Sequence, residues 1–131
     1  MEISGIVQYE QLFTLEILHP VTEEPTGITC MIRSAGSAEV KKVLRQQTDA
    51  NLERSQKRKL IKGATLEQQE IEKAAAYIAS WDWGDNTWHG KVPDDTYKAK
   101  FEVLDAEPWF FAQVAEAANT IANFTANSEN P

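Results

Sequence analysis

Apolar side chains recur at every second position in two segments near the start of the chain. Phe13, Leu15 and Ile17 are separated by Thr14 and Glu16; Ile28, Cys30 and Ile32 are separated by Thr29 and Met31, with Arg33 following. A period of two puts each set on one face of a strand. The nine residues 19–27 between them hold Pro20, Pro25 and Gly27. Proline cannot continue a paired strand, so this stretch predicts a hairpin loop. A further short strand is expected over residues 3–9, although Gly5 interrupts it.

After residues 34–37 (Ser-Ala-Gly-Ser) the period lengthens. Ser37 is placed as an N-cap with Glu39 in the first turn, and Val40, Val43, Leu44 and Leu52 form a sparse helical stripe among charges. This helix is expected to run to about Leu60 and to stop near Gly63. Thr65 and Gln68 have the spacing of a capping box, which would open a second helix carrying Ile71, Ala74, Ala75 and Ile78 and ending at Trp81. Residues 81–90 then form an aromatic loop. Pro93, Asp94 and Asp95 restart the chain, and Tyr97, Phe101 and Leu104 recur at helical spacing. Pro108 suits the first turn of a last helix, with Phe110, Val114, Ala118 and Ile121 on one face. The polar residues from 123 on are expected to fray, with 126–131 a mobile tail. The chain therefore predicts one α+β domain over residues 1–131. Residues 1–33 are strand-rich, 37–125 helical, and an N-terminal β-hairpin is followed by about four helices.

Composition narrows the function. A chain of 131 residues suits one core, and a hydrophobic fraction of 42% can fill it. The opening Met1-Glu2-Ile3-Ser4 has no cationic leader and no apolar run is long enough to cross a bilayer, so a cytoplasmic location is expected. The single cysteine, Cys30, excludes a disulfide framework within the chain and any CxxC site. A net charge of −7 opposes phosphate binding, so no nucleic-acid partner is expected. The basic run Arg54-Ser-Gln-Lys-Arg-Lys-Leu-Ile-Lys62 has no interleaved aromatic, and Glu53, Glu67 and Glu70 dilute it.

The charge is segregated. Residues 1–32 carry five acids and no lysine or arginine, residues 101–131 do the same, and nine of the thirteen basic residues fall between Lys41 and Lys73. Acidic ends and a basic middle can meet across copies, so a homo-oligomer is expected. Its candidate contacts are Lys41, Lys42, Arg45, Arg54, Lys57 and Arg58.

Candidate chemistry is sparse. Cys30 sits among apolar residues on a strand face, where a thiol is inert, and His19 and His89 both lie in loops. Asp82, Asp85 and His89 match no ligand spacing, and no phosphate loop, HExxH or GxSxG motif occurs. Neither a catalytic group, a metal nor a cofactor is expected. Asn123-Phe124-Thr125 has the form of a glycosylation acceptor, which matters only in a secreted chain.

The aromatics are the strongest signal. Nine of the twelve lie between Tyr77 and Phe111, including all four tryptophans. Some must fill the core. Yet Trp81 and Trp83 border a polar loop, and Trp109-Phe110-Phe111 spans too wide an arc of one helix to face a single direction. Trp81, Trp83, Trp109, Phe110 and Phe111 are therefore the candidate protein-binding residues.

The strand-rich start, basic central helix, Trp-x-Trp at 81–83 and closing Pro-Trp-Phe-Phe-x-Gln-Val-x-x-Ala helix at 108–117 resemble tail assembly chaperones of long-tailed (siphovirus-type) bacteriophages. The resemblance implies a chaperone that binds the tape measure protein and keeps it soluble. It also implies help in recruiting tail tube protein, a place in the cytoplasm of the infected host, and absence from the mature virion. Many members are made in two lengths by frameshifting, and this chain resembles the shorter form. No site residue is carried across from the family. Two other classes fit the same residues: a structural tail or head–tail component, and a sugar- or small-ligand-binding module stacking on Trp81, Trp83 and Trp88.

Overall fold

In a computed structural model, which describes residues 1–57 and 63–125, the chain forms an N-terminal β-hairpin followed by four helices, an α+β fold. Strand β1 (Phe13–Leu18) pairs antiparallel with β2 (Pro25–Ile32), and a third strand, β3 (Ile78–Asp82), pairs antiparallel with the far side of β2. The helices are α1 (Ala38–Gln56), α2 (Gly63–Tyr77), α3 (Tyr97–Ala106) and α4 (Pro108–Asn119), with a 3-10 turn at Ile121–Phe124. None is long and apolar enough to cross a membrane among the described residues.

The period of two sets the pairing of β1 with β2, although β2 begins at Pro25, inside the stretch expected to be loop. Phe13 lies opposite Ile32 and Leu15 opposite Cys30. Extending across β2, Cys30 meets Trp81 and Ile32 meets Ile78. Two cross-strand rows result, Leu15–Cys30–Trp81 and Phe13–Ile32–Ile78, the pairing unit by which sheets are stabilised. Helix α4 lies against β1 and β2, and α2 packs on α3 and α4. Buried Ile17, Ile28, Cys30, Ile32, Val103, Leu104, Phe110 and Val114 form the common core.

The third strand corrects the expectation that the second helix ends at Trp81. Nothing local stops α2 at Tyr77: there is no glycine or proline there, and Ile78 continues the stripe of Ala74 and Ala75. The unpaired side of β2 stops it. Arg33 N–H donates to Tyr77 O at 2.6 Å, and Arg33 Nη1 donates to Ala76 O at 2.8 Å. A cation thus sits on the last carbonyls of α2, where the helix dipole favours it.

Helix starts depart from expectation too. Ser37 occupies the N-cap of α1, but its hydroxyl is buried without a hydrogen-bond partner among the described residues. The Glu10 carboxylate accepts from Ala38 N–H instead, at 3.1 and 3.3 Å, placing an anion at the helix start. Gly63 is the first residue of α2 rather than the end of α1, and Thr65 already lies inside α2, so Thr65 and Gln68 make no capping box. Thr96 caps α3, its hydroxyl accepting from Ala99 N–H at 3.2 Å. Residues 3–9 form no strand; Val7 makes a single bridge with Thr125. Ile121 is exposed, because the 3-10 turn rotates it off the α4 face. The expected mobile tail at 126–131 and the expected end of the first helix near Leu60 lie outside the described residues.

Candidate functional site

The aromatic cluster is built where β3 runs into the loop after it. Trp81 and Trp83 turn inward to Phe110 of α4. Trp81 meets Trp83 edge-on at 5.4 Å between centroids, and Trp83 stacks on Phe110 at 5.9 Å with 16° between planes. Trp81 also meets Phe110 edge-on at 6.1 Å. Trp81 Nε1 donates to Asp94 O at 3.0 Å, tying the loop before α3 to the cluster. Relative exposures are 8% for Trp81, 6% for Trp83 and 1% for Phe110. These three are core residues, which corrects their candidacy as surface anchors and leaves Trp81 and Trp83 without an open face for a saccharide.

The loop itself is locked rather than open. Asn86 Nδ2 donates to Trp83 O and to Thr26 O, both at 2.9 Å, which sews residues 83–86 to the hairpin. Gly84 has φ +56°, and a Cβ there would lie 3.1 Å from Gly27 O, so the close approach of the two loops requires glycine. The remaining candidates flank Phe110. Trp109 and Phe111 are half-buried, on opposite sides of the buried Phe110–Val114 face, so they do not form one patch.

The basic candidates divide as well. Lys41, Lys42 and Arg45 are exposed along α1. Arg54 is half-buried, with Nη1 3.4 Å from Asn51 Oδ1. Lys57 pairs with Glu53 at 2.7 Å. Arg58 lies outside the described residues.

What the candidate residues missed is a groove of about 490 Å³ along β1 and α4. Phe13, Leu15, Leu18 and Ala117 give it an apolar lining; Glu16, Glu23 and Glu116 add three carboxylates, and among the described residues no lysine or arginine lines it. Gln113 holds its two walls together. Its side-chain oxygen accepts from Leu18 N–H at 2.8 Å and its amide donates to Leu18 O at 2.9 Å, so the side chain pairs with β1 as a neighbouring strand residue would. The carboxylates come from both acidic ends of the chain. Charge segregation was the signal that could have found this groove, once β1 and α4 were known to be neighbours.

The histidine, cysteine and acidic candidates hold local structural roles. His19 Nδ1 accepts from the backbone N–H of Val21 and Thr22, at 3.1 and 3.2 Å, which fixes the loop's own turn. Cys30 is fully buried, and burial pushes its thiol up to about 12 despite Lys100 nearby, which acts the other way. Among the described residues no three histidines, cysteines or carboxylates converge as metal ligands, and Asp82 Oδ1 instead accepts from Gly84 N–H at 2.9 Å.

Comparison of the chain with protein-family models, with curated proteins and with solved structures finds no match in any of the three.

Proposed function

We propose that this chain is a non-catalytic, protein-binding assembly chaperone of the kind that long-tailed bacteriophages use to build their tails. The β1–α4 groove carries the reading. It is an open channel with an apolar lining and three carboxylates, the chemistry that accepts an amphipathic helix bearing cations beside its apolar face. The resemblance over the strand-rich start, the Trp-x-Trp segment and the 108–117 helix supplies the client, a helical tape measure protein, and a second partner in the tail tube protein. In this reading the tryptophans support the groove from within instead of touching the client, since Trp83 and Trp81 brace Phe110 on the helix that also carries Gln113 and Glu116.

Co-expression tests it. Tape measure protein that is insoluble alone is expected to stay in solution with this chain, and to be lost with a Glu16→Lys/Glu116→Lys variant. A tape measure protein that precipitates equally in its presence sinks the chaperone reading. Retention by the double variant at wild-type level moves the client away from this groove.

A further inference from the structure

The β1–α4 groove has a backbone wall as well as side chains. Among the described residues β1 is an edge of the sheet, paired with β2 on one side only. Ile17 O accepts from Thr26 Oγ1 of β2, whereas Leu18 N–H and C=O both bond to Gln113 of α4. Backbone groups alternate along a strand, so those of Glu16 turn the same way as those of Leu18, away from β2 and toward α4. Gln113 holds Leu18 as a peptide would. A carboxamide has the one acceptor and the donor of a peptide group, and both are engaged, at 2.8 and 2.9 Å. Beyond this clamp the groove continues over Phe13, Leu15 and Ala117 and past the exposed Glu16 and Glu116.

We propose that β1 accepts an added strand in this groove, and that the Gln113 amide is its placeholder. The ligand is an extended segment of another protein in which lysine or arginine alternates with apolar residues. It displaces Gln113 from Leu18 and continues onto the backbone of Glu16. In strand addition the main chain supplies affinity and alternate side chains supply specificity. Alternation suits both linings at once. Phe13 and Leu15 lie on one face of β1 and Glu16 on the other, so apolar side chains of the added strand meet the first and its cations the second. Glu23 and Glu116 add to the negative field and disfavour an acidic segment. A helix bonds its own amides internally and cannot take the place of Gln113 on Leu18. The inference therefore goes beyond the helical client proposed above: it gives the same groove a second, extended ligand that excludes the helical one.

A peptide of alternating valine and lysine, matched to the six residues of β1 and blocked at both ends, tests it on the whole chain by NMR titration. It is expected to bind and to slow exchange of the Glu16 amide proton at least about tenfold. Methylating the peptide's backbone nitrogens separates pairing from charge. Only alternate amides of an added strand face β1, so methylation of one set, the valine or the lysine nitrogens, should weaken binding at least about tenfold and methylation of the other set little. Glutamate in place of the peptide's lysines should abolish binding. Gln113→Leu keeps the bulk of the side chain without its amide and should bind the peptide about tenfold more tightly, because two modest hydrogen bonds no longer compete. Unchanged circular dichroism would establish that this variant folds. No binding up to about 1 mM peptide overturns the inference. So do equal losses from the two methylated sets, an acidic peptide that binds as well, or a folded Gln113→Leu variant with unchanged or weaker affinity. Any of these results beside a tape measure protein kept in solution defeats only strand addition and leaves the chaperone reading standing.

Discussion

The two ends of this molecule are held together by different physics. Where β3 meets α4, Trp81, Trp83 and Phe110 interlock, and dispersion and the hydrophobic effect do the work over large buried rings. Where α1 meets α2, the contact is amide to amide. Asn51 Nδ2 donates to Gln69 Oε1 at 3.1 Å, Gln69 Nε2 donates back to Asn51 Oδ1 at 2.8 Å, and Gln47 Nε2 reaches Gln69 O at 2.6 Å. Such bonds largely exchange for bonds to water on unfolding, so each adds only about 1 kcal/mol net. The difference teaches where stability resides. The aromatic end holds α4 to the strand end through large buried rings. The amide-linked arm spends little of its apolar surface internally and keeps Leu44 and Leu52 outside.

The largest effect should separate the two ends. Phe110→Ala removes a ring that touches three tryptophans and is expected to cost about 3–5 kcal/mol in urea unfolding. Leu52→Ala, on the arm, should stay within about 0.5 kcal/mol. Comparable costs would mean that the arm is as integral to the core as α4.

A smaller effect probes the amide joint. Gln69→Leu alone strands the half-buried Asn51 carboxamide and should cost about 1–3 kcal/mol, whereas Asn51→Leu/Gln69→Leu together should come back close to wild type. A double variant as unstable as the sum of the singles would show that the two amides do not act as a pair.

A further small effect sits at Cys30, buried on the central strand β2. Cys30→Ala should cost roughly 1 kcal/mol and leave partner binding intact. Burial raises the thiol from an ordinary value of 9.0 to about 12, so the unfolded chain loses this proton first as pH rises. The contribution of Cys30 is therefore complete below pH 9 and is lost between about 9 and about 12. The alanine variant should lack that part of the alkaline decline. Rapid labelling of the native thiol at pH 8 would contradict its burial.

Local pattern determined a good deal of this protein by itself. Alternation chose the inward faces of β1 and β2, because a pleated strand leaves no other way to bury Phe13, Leu15, Ile28 and Ile32 together. Proline at 108 and the spacing of Phe110, Val114 and Ala118 determined α4 and its buried stripe. Segregated charge pointed to the acidic and basic regions, though not to where they lie. Tertiary structure decided the rest. Residues 78–82 could extend a helix by their own periodicity, and become a strand because β2 offers unpaired backbone and Arg33 takes the last carbonyls of α2. Trp81 and Trp83 border a polar loop in sequence, yet Asn86 and Gly84 fold that loop back on the hairpin and turn both rings inward. The start of α1 is capped by Glu10, twenty-eight residues away, and the hydroxyl of Ser37 is left unused. In each case the deciding partner is remote in the chain. Periodicity reports which side of an element is apolar; only packing reports which carbonyl, edge or ring is waiting to meet it.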